Sequence, residues 1–336
     1  MSEEPSLLDE REDIEAEAGP AAEDEAATLP DEEALPPDHR SGFVAVVGRP
    51  NVGKSTLMNA YLGEKVAIVS PKPQTTRLRQ LGILTTDAYQ IIFVDTPGIH
   101  EPTHKLGEFM VQVALSALAD ADLILFVVDL TEPPTDEDRR IADLLTEHAP
   151  EVPVLLAMNK LDLVDIAHLA ENVAAFQDMI PDADWTTCSA VTGQGRDDLL
   201  RRIVAALPEG PRYYPADQLS DAPVREIVAE IVREKALYRL QEEVPHSVAV
   251  VVEEFKRRHE NMTYIAATVY VERESQKGIL IGSGGRMLGR IGKDARAEIE
   301  ALVGTKVYLD LWVKVLKNWR KDEDALRRLG YRLPKR

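Results

Sequence analysis

One short segment near the start of the chain constrains its fold more than any other. Residues 48–55 read GRPNVGKS, which matches the phosphate-loop pattern G-x-x-x-x-G-K-[ST]. The segment follows an apolar run, Phe43–Val47, and opens a helical stretch, Ser55–Leu62. In that context, backbone N–H groups at a helix N-terminus wrap a phosphate. The candidate phosphate-binding residues are Gly48, Arg49, Pro50, Asn51, Val52, Gly53, Lys54 and Ser55.

The polar side chains of this loop predict a magnesium-bound nucleotide phosphate. Lys54 is placed to reach the β- and γ-phosphates, and the Ser55 hydroxyl is a typical Mg²⁺ ligand. Asn51 has two interpretations, because its amide oxygen either ligates a monovalent cation beside the phosphates or bonds within the loop. A cation held there would supply the positive charge that an arginine finger supplies in other nucleotide hydrolases.

A second motif ends the next apolar run. Asp95 closes IIFVD and begins DTPG, 41 residues after Lys54. Its carboxylate is placed to hold Mg²⁺ through water, and the Gly98 amide to meet a γ-phosphate. The following Ile99 stands where small GTPases carry a water-orienting glutamine, and His100 is either a general base or a surface residue. The candidate nucleotide-binding residues here are Asp95, Thr96, Pro97, Gly98 and Ile99.

A threonine pair between these motifs predicts a nucleotide-sensing loop. Residues 73–77 read PQTTR. A threonine there can close onto Mg²⁺ when a γ-phosphate is present, which makes the loop an order–disorder switch. Thr76 is preferred over Thr75 for this role, and an N-capping or turn threonine is the alternative. The candidate catalytic residues are Lys54, Thr76, Asp95 and Gly98.

A third motif predicts which nucleotide base is bound. Residues 159–162 read NKLD after the apolar run VLLAM. The Asp162 carboxylate can accept N–H groups from guanine N1 and its 2-amino group, a pair that adenine lacks, so GTP is predicted over ATP. Asn159 is expected to bond the opposite edge of the base and Lys160 to pack over the ring. The motif is Asn159, Lys160, Leu161 and Asp162, and the backbone amides of Ser189 and Ala190 are expected to face the guanine carbonyl.

Apolar runs and amphipathic stretches alternate over residues 41–208, which predicts a doubly wound, mostly parallel α/β domain of the P-loop type. The predicted buried strands are Phe43–Val47, Ile91–Asp95, Leu123–Asp129 and Val154–Lys160. The predicted helices are Ser55–Leu62, Leu106–Ala119, Asp136–His148 and Leu169–Met179. Residues 1–40 lack aromatic residues and are predicted to be an acidic disordered tail.

A linker is assigned to residues 209–222, after which the pattern predicts a small α+β domain over residues 223–336. Its predicted helices are Val224–Gln241, Asp294–Val303 and Lys321–Leu329. Its predicted strands are Ser247–Lys256, Thr263–Glu274 and Thr305–Lys317. Between them, Gly278–Arg290 is read as a glycine-rich basic segment.

Charge is divided unevenly along the chain. Residues 1–40 carry 15 acidic and 2 basic side chains, whereas residues 277–336 carry 7 acidic and 15 basic ones. The basic end contains G-x-x-G at Gly282–Gly285, ahead of an amphipathic helix, which is typical of a loop that approaches a nucleic-acid backbone closely. A tight helix–helix turn is the alternative. The candidate RNA-binding residues are Gly282, Ser283, Gly284, Gly285, Arg286, Arg290 and Lys293.

Composition excludes several other classes of protein. The longest uncharged apolar runs, such as Leu123–Val128, are far shorter than the ~20 residues of a membrane-spanning helix. The N-terminus is acidic where a signal peptide is basic and then apolar. The single cysteine, Cys188, permits no intrachain disulfide and no cysteine-based metal site. These features predict a cytoplasmic protein, and no obligate oligomer is predicted.

Together, GRPNVGKS, QTTR, DTPGIH, NKLD, CSA and IGSGGRMLGRIG resemble the Era family of bacterial GTPases from about Gly42 to the C-terminus. The resemblance implies a Ras-like GTPase domain joined to a type II KH domain, with GTP, GDP and Mg²⁺ as ligands. It also implies binding to 16S rRNA near its 3′ end, a role in maturation of the 30S ribosomal subunit, and peripheral association with the inner face of the cell membrane. Ile99 matches the family's hydrophobic residue at the glutamine position, and Asn51 matches the asparagine of related potassium-dependent GTPases.

Two features depart from the family pattern. The acidic tail, residues 1–40, is not part of it, and Ser283 and Gly284 stand where a basic residue is common. Phosphate contacts then fall to backbone amides and to residues such as Arg286. Two alternatives to the RNA switch are a membrane-surface GTPase, with the basic C-terminal helix on anionic lipid, and a GTP-dependent binding module with negligible turnover.

Overall fold

The computed structural model describes residues 35–70, 72, 75–241 and 244–332. Most of the predicted acidic tail lies outside these residues. The part that is described differs from the prediction, because Arg40 already belongs to the first strand. His39 is buried, and its Nδ1 lies 2.7 Å from the carbonyl oxygen of Gly210. Folded structure therefore begins before the predicted boundary at residue 41.

The first sheet has six strands in the order β2-β3-β1-β4-β5-β6. All neighbours are parallel except the edge pair β2 and β3. This arrangement confirms the predicted doubly wound sheet and brings the carboxyl ends of β1, β3, β4 and β5 to one edge. The strands are β1 (Arg40–Val47), β2 (Gln80–Thr85), β3 (Tyr89–Asp95), β4 (Leu123–Asp129), β5 (Val154–Asn159) and β6 (Asp184–Thr187).

Helices cover both faces of this sheet. The five helices are α1 (Lys54–Leu62), α2 (Lys105–Ala119), α3 (Asp136–His148), α4 (Ile166–Met179) and α5 (Arg196–Ala206). One apolar core joins α1 and α5 to the sheet through residues such as Leu57 and Ile203. The other joins α2, α3 and α4 through residues such as Leu118, Ile141 and Phe176. Burial on both faces explains why the central strands read as continuous apolar runs.

Three elements of this part were not predicted. The edge strand β2 carries a glycine, β6 has four residues, and α5 has a first turn rich in aspartate. Short or partly polar edge elements carry little periodic signal, since only one side of them is covered. The predicted linker, residues 209–222, lies along β2 and β3: Gln90 Oε1 accepts from the amides of Tyr213 and Tyr214, and the Ile83 amide donates to Leu219 O.

The second sheet has three strands in the order β7-β8-β9, with β7 and β8 antiparallel and β8 and β9 parallel. Helices α6, α7 and α8 pack on one face of it, around residues such as Val228, Leu280 and Ile299. The elements are α6 (Val224–Arg239), β7 (Ala249–His259), β8 (Met262–Val271), α7 (Glu274–Ile281), α8 (Arg286–Val303), β9 (Lys306–Val315) and α9 (Glu323–Arg328).

Two predictions in this part need correction. The segment read as glycine-rich and basic, Gly278–Arg290, is largely helical, because α7 runs to Ile281 and α8 begins at Arg286 rather than at Asp294. Glycines at a helix end and a single glycine in an amphipathic stretch are tolerated, so the 3.6-residue period continues through them.

The predicted basic C-terminal helix is short, and its apolar side is internal. Trp319 and Leu326 are buried against Met110 of α2. The described part of the C-terminal end thus packs with its buried apolar side chains against α2. Among the described residues, no helix is long and apolar enough to cross a membrane.

Candidate nucleotide-binding site

The phosphate loop joins β1 to α1 in a conformation that depends on its glycines. Gly48 has φ +147° and Gly53 has φ +105°, both in the region that favours glycine. A Cβ atom at Gly53 would collide with Asn159 Nδ2. Asn51 has φ +64°, which asparagine adopts more readily than most residues. The loop therefore holds an open turn at the start of α1.

A cavity of about 370 Å³ opens beside this loop. Its walls come from the phosphate loop, from residues 68–70, from Thr75 and Thr76, and from Gly98 and Lys160. The structure thus brings the predicted phosphate, switch and magnesium residues together around one space.

Lys54 is buried within the loop. Its Nζ donates to the carbonyl oxygens of Gly48 and Arg49, at 2.9 and 3.0 Å. Burial lowers the pKa of Lys54 to about 8, Asp95 partly restores it, and Arg49 lowers it further. A desolvated ammonium group at a helix N-terminus is a strong site for an anion.

Three oxygen-bearing side chains converge next to Lys54. Ser55 Oγ donates to Asp95 Oδ2 at 2.6 Å, and Thr76 Oγ1 lies 3.2 Å from Ser55 Oγ and 3.3 Å from Asp95 Oδ2. The structure brings Thr76, not Thr75, to these groups, since the Thr75 hydroxyl donates to Lys72 O.

This cluster fits a magnesium ion. The other oxygen of Asp95, Oδ1, is buried and has no hydrogen-bond partner among the described residues. Burial raises the pKa of Asp95, against the opposing effects of Lys54, Ser55 and Thr76. A buried carboxylate with an unsatisfied oxygen, flanked by two hydroxyls, is a hard-oxygen donor set that Mg²⁺ completes with water and phosphate. Among the described residues, no group of three or more acidic, histidine or cysteine side chains forms a separate metal site.

The DTPG turn lies against the phosphate loop. Thr96 Oγ1 donates to Val46 O at 2.8 Å, and a Cβ atom at Gly98 would lie 2.8 Å from the backbone nitrogen of Pro50. Ile99 is buried in the core with α2, so its side chain cannot align a water molecule. His100 Nδ1 lies 2.9 Å from the carbonyl oxygen of Gly98.

Three of the residues predicted to contact the base make hydrogen bonds within the protein. Asn159 is buried, its Nδ2 donates to Val52 O at 2.8 Å, and its Oδ1 accepts from the Ala190 amide at 2.9 Å. The Ser189 amide donates to Gln194 O at 2.8 Å. Asn159 therefore ties the phosphate loop to the Ser189–Ala190 turn, and its contact with a guanine base stays a prediction.

Lys160 and Asp162 remain available for a base. Lys160 has φ +66°, and its Nζ donates to Asp129 Oδ2 at 2.6 Å, while Asp162 is exposed. Asp129 was missed in the sequence analysis. Its signal is its position at the carboxyl end of β4, next to β5, which is the same kind of position that Asp95 occupies on β3.

The G-x-x-G segment forms the turn between α7 and α8. Gly282, Gly284 and Gly285 have φ of +70°, +61° and +77°. Ser283 and Arg286 are exposed, and Arg286 Nε donates to Ser283 O at 3.1 Å. The turn presents backbone and the N-terminus of α8 to solvent, and Arg290 and Lys293 are exposed on the same helix.

Residues of the second sheet and its helices hold the loop that contains Thr76. Arg77 is buried, and its guanidinium donates to Val248 O at 2.6 Å and to His246 O at 3.0 Å. It also lies 5.6 Å from the ring centre of Trp319. On the other side of Thr76, Arg233 of α6 donates to the Thr75 carbonyl.

A second set of contacts joins residues 65–69 to α6 and α8. Lys65 Nζ is 2.5 Å from Glu234 Oε2 and 2.8 Å from Glu298 Oε1, and Glu234 Oε1 accepts from the Val69 amide at 3.1 Å. Two residues that line the cavity, Val69 and Thr75, therefore each bond to a side chain of α6. The arginine in QTTR was predicted only as part of a motif, because such contacts between distant segments leave no local signal.

Two protein-family models match the chain. One, described as a 50S ribosome-binding GTPase, matches residues 43–160, and one described as a KH domain matches residues 243–320. The chain is 52% identical to GTPase Era of Caldanaerobacter subterraneus subsp. tengcongensis over 298 residues, which cover 88% of this chain and 99% of that protein. It is 49% identical to GTPase Era of Geobacter metallireducens over 293 residues, which cover 87% of this chain and 98% of that protein.

Two solved structures are similar over nearly the same length. One is a crystal structure of Era in complex with MgGDPNP and nucleotides 1506–1542 of 16S ribosomal RNA, with 42% identity and a TM-score of 0.83. The other is a variant of Aquifex aeolicus Era bound to GDP·AlF₄⁻, with 41% identity and a TM-score of 0.83. Each match covers 88% of this chain and 100% of the other.

Proposed function

Since the chain belongs to the Era family of GTPases, we propose that it is a GTP-driven switch that binds 16S rRNA near its 3′ end and assists maturation of the 30S subunit. It is a GTPase whose ligands are GTP, GDP and Mg²⁺. The observation that carries the proposal is the convergence of Lys54, Ser55, Thr76 and Asp95 beside the phosphate loop. Support for the RNA partner comes from the similar structure that holds MgGDPNP and a 16S rRNA fragment.

We infer a division of labour along the chain. A GTPase domain over residues 41–208 would bind the nucleotide, a linker would follow over residues 209–222, and a KH domain over residues 223–336 would bind RNA. The two sheets, each with its own apolar core, support this division. Residues 1–40 carry 15 acidic side chains and would repel RNA rather than bind it.

Each polar group of the site has a role in the proposal. Phosphate oxygens would replace the Gly48 and Arg49 carbonyls as the partners of Lys54, and Ser55, Thr76 and Asp95 would hold Mg²⁺. When bound, Mg²⁺ neutralises charge that develops on the β- and γ-phosphates. The Gly98 amide would donate a hydrogen bond to the γ-phosphate.

The base would be recognised at the end of β5. The Asp162 carboxylate would accept guanine N–H groups, and Lys160, held by Asp129, would lie over the ring. Asn159 would act indirectly, by fixing the phosphate loop against Ala190. A hydrogen-bonding site of this kind rejects nucleotides that lack the matching donors.

Water activation would not depend on a side chain at position 99, because Ile99 is buried in the core. We propose instead that Asn51 helps to bind a potassium ion against the phosphates, where it would offset transition-state charge. Asn51 lines the cavity beside Lys54, which supports this role. A slow reaction that depends on a monovalent cation suits a timing switch.

The Thr76 loop would link the two functions. Both residues that flank Thr76 are tied to the C-terminal part of the chain, the Thr75 carbonyl by Arg233 and the Arg77 side chain by the carbonyls of Val248 and His246. Thr76 lies at the magnesium cluster in this structure, so its release after loss of the γ-phosphate would change how the KH domain is held. By linkage, RNA bound to the KH domain would change the affinity for GTP over GDP.

A matched pair of threonine variants tests the assignment of the switch residue. Thr76→Ala should lower the single-turnover rate of GTP hydrolysis by about 10- to 100-fold and leave GDP affinity unchanged, because the hydroxyl acts only when a γ-phosphate is present. Thr75→Ala is the control, since its hydroxyl bonds within the loop. Equal rate losses in both variants, or equal loss of GDP binding, would contradict the assignment.

A further inference from the structure

The second sheet has an outward face that carries exposed aromatic rings. Helices α6, α7 and α8 cover the opposite face, where Leu309 and Leu311 of β9 contribute to the core. Tyr308 and Trp312 alternate with these residues on β9 and point outward, with 62% and 60% of their surface exposed. Two large rings exposed together on one face of a sheet form a candidate contact surface for a partner.

The rings are held in fixed orientations. Tyr264 of β8 lies opposite Tyr308 in the register, and their rings are stacked with centres 5.9 Å apart. The Arg258 guanidinium lies 4.1 Å from the centre of the Tyr264 ring. Asp310 Oδ2 accepts from Trp312 Nε1 at 3.2 Å and from the Tyr264 hydroxyl at 3.4 Å. We call Arg258, Tyr264, Tyr308 and Trp312 the sheet platform.

Cationic side chains border the platform. Lys256 of β7 lies opposite Tyr264, and Lys314 of β9 follows Trp312 on the same face. Both are ion-paired, Lys256 to Glu254 at 2.5 Å and Lys314 to Glu253 at 3.4 Å, and they keep 69% and 53% of their side-chain surface exposed. Residues 277–336, which include β9, carry 15 basic and 7 acidic side chains. A polyanion with flat apolar groups is the partner that matches rings and cations presented together.

We propose that the sheet platform binds unpaired RNA bases by stacking, as a second RNA contact beyond the G-x-x-G turn. Aromatic rings on an open sheet face offer every base a stacking surface, and an arginine adds a cation–π contact. The outward positions between the rings are Ala266, Thr268 and Asp310, so the rings do not form a continuous apolar patch.

The platform and the G-x-x-G turn share one strand. β9 packs beneath α7 and α8 with its inward side chains and presents Tyr308 and Trp312 on its other side. It is also the edge strand of the sheet, next to β8 alone. An RNA strand held at the turn between α7 and α8 can therefore continue over this edge onto the platform. The inference rests on the proposed function to the extent that RNA is the partner.

Salt dependence of RNA binding by the full-length protein separates stacking from phosphate contacts. The probe is a labelled oligonucleotide with the sequence of nucleotides 1506–1542 of 16S rRNA, and oligouridine serves as a second probe. Trp312→Ala and Tyr308→Ala should each weaken binding about tenfold without changing the slope of log K against log salt, whereas Trp312→Phe should restore most of the affinity. Arg286→Ala should instead reduce the slope. Tyr238→Ala, which removes a tyrosine that is 55% exposed on α6, is the matched control and should have no effect.

The outcomes distinguish this inference from the proposed function. If the native protein binds the 16S probe and both platform variants bind it equally well, the platform is not an RNA site and the proposed function stands. If the native protein binds neither probe, the proposed function and the inference both fail. Ultraviolet crosslinking of bound oligouridine, read by mass spectrometry, should place crosslinks at Trp312 or Tyr308, and crosslinks confined to residues around Gly284 would overturn the inference.

Discussion

At the scale of single residues, burial sets the charges at the nucleotide site. The Lys54 ammonium group donates to two backbone carbonyls, and burial lowers its pKa to about 8. Burial also raises the pKa of Asp95, which keeps one carboxylate oxygen without a partner among the described residues. Both shifts disfavour the charged form, and a phosphate beside Lys54 and a cation beside Asp95 would reverse them. MgGTP would therefore stabilise the charged form of both groups.

The Lys54 pKa predicts how GDP affinity depends on pH. From about pH 7 to pH 8 the ammonium group is already protonated and the GDP phosphates are ionised, so affinity should change little with pH. Above that value, binding must take up a proton, and affinity should fall by up to about tenfold per pH unit. Isothermal titration calorimetry in buffers of different ionisation enthalpy would measure both the affinity and the proton uptake. Lys54→Met should bind weakly with a flat profile, and a native profile that is flat up to pH 9 would refute the role assigned to Lys54.

Asn51 predicts a dependence on the monovalent cation. Glycine is the informative replacement, because Asn51 has φ +64° and glycine keeps that conformation without the amide. Asn51→Gly should retain GDP affinity but lose the stimulation of hydrolysis by potassium over sodium, which we expect to be about tenfold or more in the native protein. Single-turnover hydrolysis in KCl and NaCl measures it. Equal stimulation in the native and variant proteins would show that the amide serves only the loop.

At the scale of elements, central strands and long helices were predictable, and contacts between distant segments were not. β1, β3, β4 and β5 are buried on both faces, so each appears as an apolar run, and β1, β3 and β5 are each followed by a recognised motif. The edge strand β2 and the four-residue β6 lack such a run. Helix α8 was predicted to begin too late, because its first turns contain Gly289 and Gly292.

The same distinction applies to the site. Lys54, Ser55, Thr76, Asp95 and Asp162 belong to local motifs, which fix their position at strand ends. The engagement of Asn159 with Val52 and Ala190 joins three separate segments, and no spacing rule encodes it. Arg233, which bonds the Thr75 carbonyl from 158 residues away, was invisible for the same reason.

The buried contacts of Arg77 predict a measurable contribution to the free energy of unfolding. Arg77→Ala removes a buried guanidinium that bonds two carbonyls and lies against Trp319, so unfolding free energy should fall by about 2–3 kcal/mol. Arg79→Ala is the control, because Arg79 is exposed two residues away and its loss should change stability by under about 0.5 kcal/mol. Urea denaturation followed by tryptophan fluorescence gives both midpoints. Equal midpoints for the two variants would mean that Arg77 does not bridge the elements.

At the scale of the whole molecule, the charge distribution and the fold favour coupling between the nucleotide site and the RNA-binding part of the chain. The acidic residues are concentrated in the first 40 positions and the basic ones in the last 60, which contain the G-x-x-G turn and two of the four platform residues, Tyr308 and Trp312. Helix α6 contacts the loops beside the nucleotide cavity through Arg233 and Glu234, and α2 packs against the C-terminal part of the chain in the cluster around Trp319. We propose that these contacts carry a change at the γ-phosphate to the RNA-binding part of the chain.

The measurement that tests this coupling most directly is the affinity for a labelled oligonucleotide from the 3′ end of 16S rRNA, by fluorescence anisotropy. It should be made with a non-hydrolysable GTP analogue, with GDP and without nucleotide, each at two salt concentrations. We predict salt-sensitive binding that is at least about fivefold tighter in the GTP-analogue state than in the GDP state. Equal affinity in all three nucleotide states would contradict the coupling through the Thr76 loop, and the absence of binding in every state would contradict the RNA function itself.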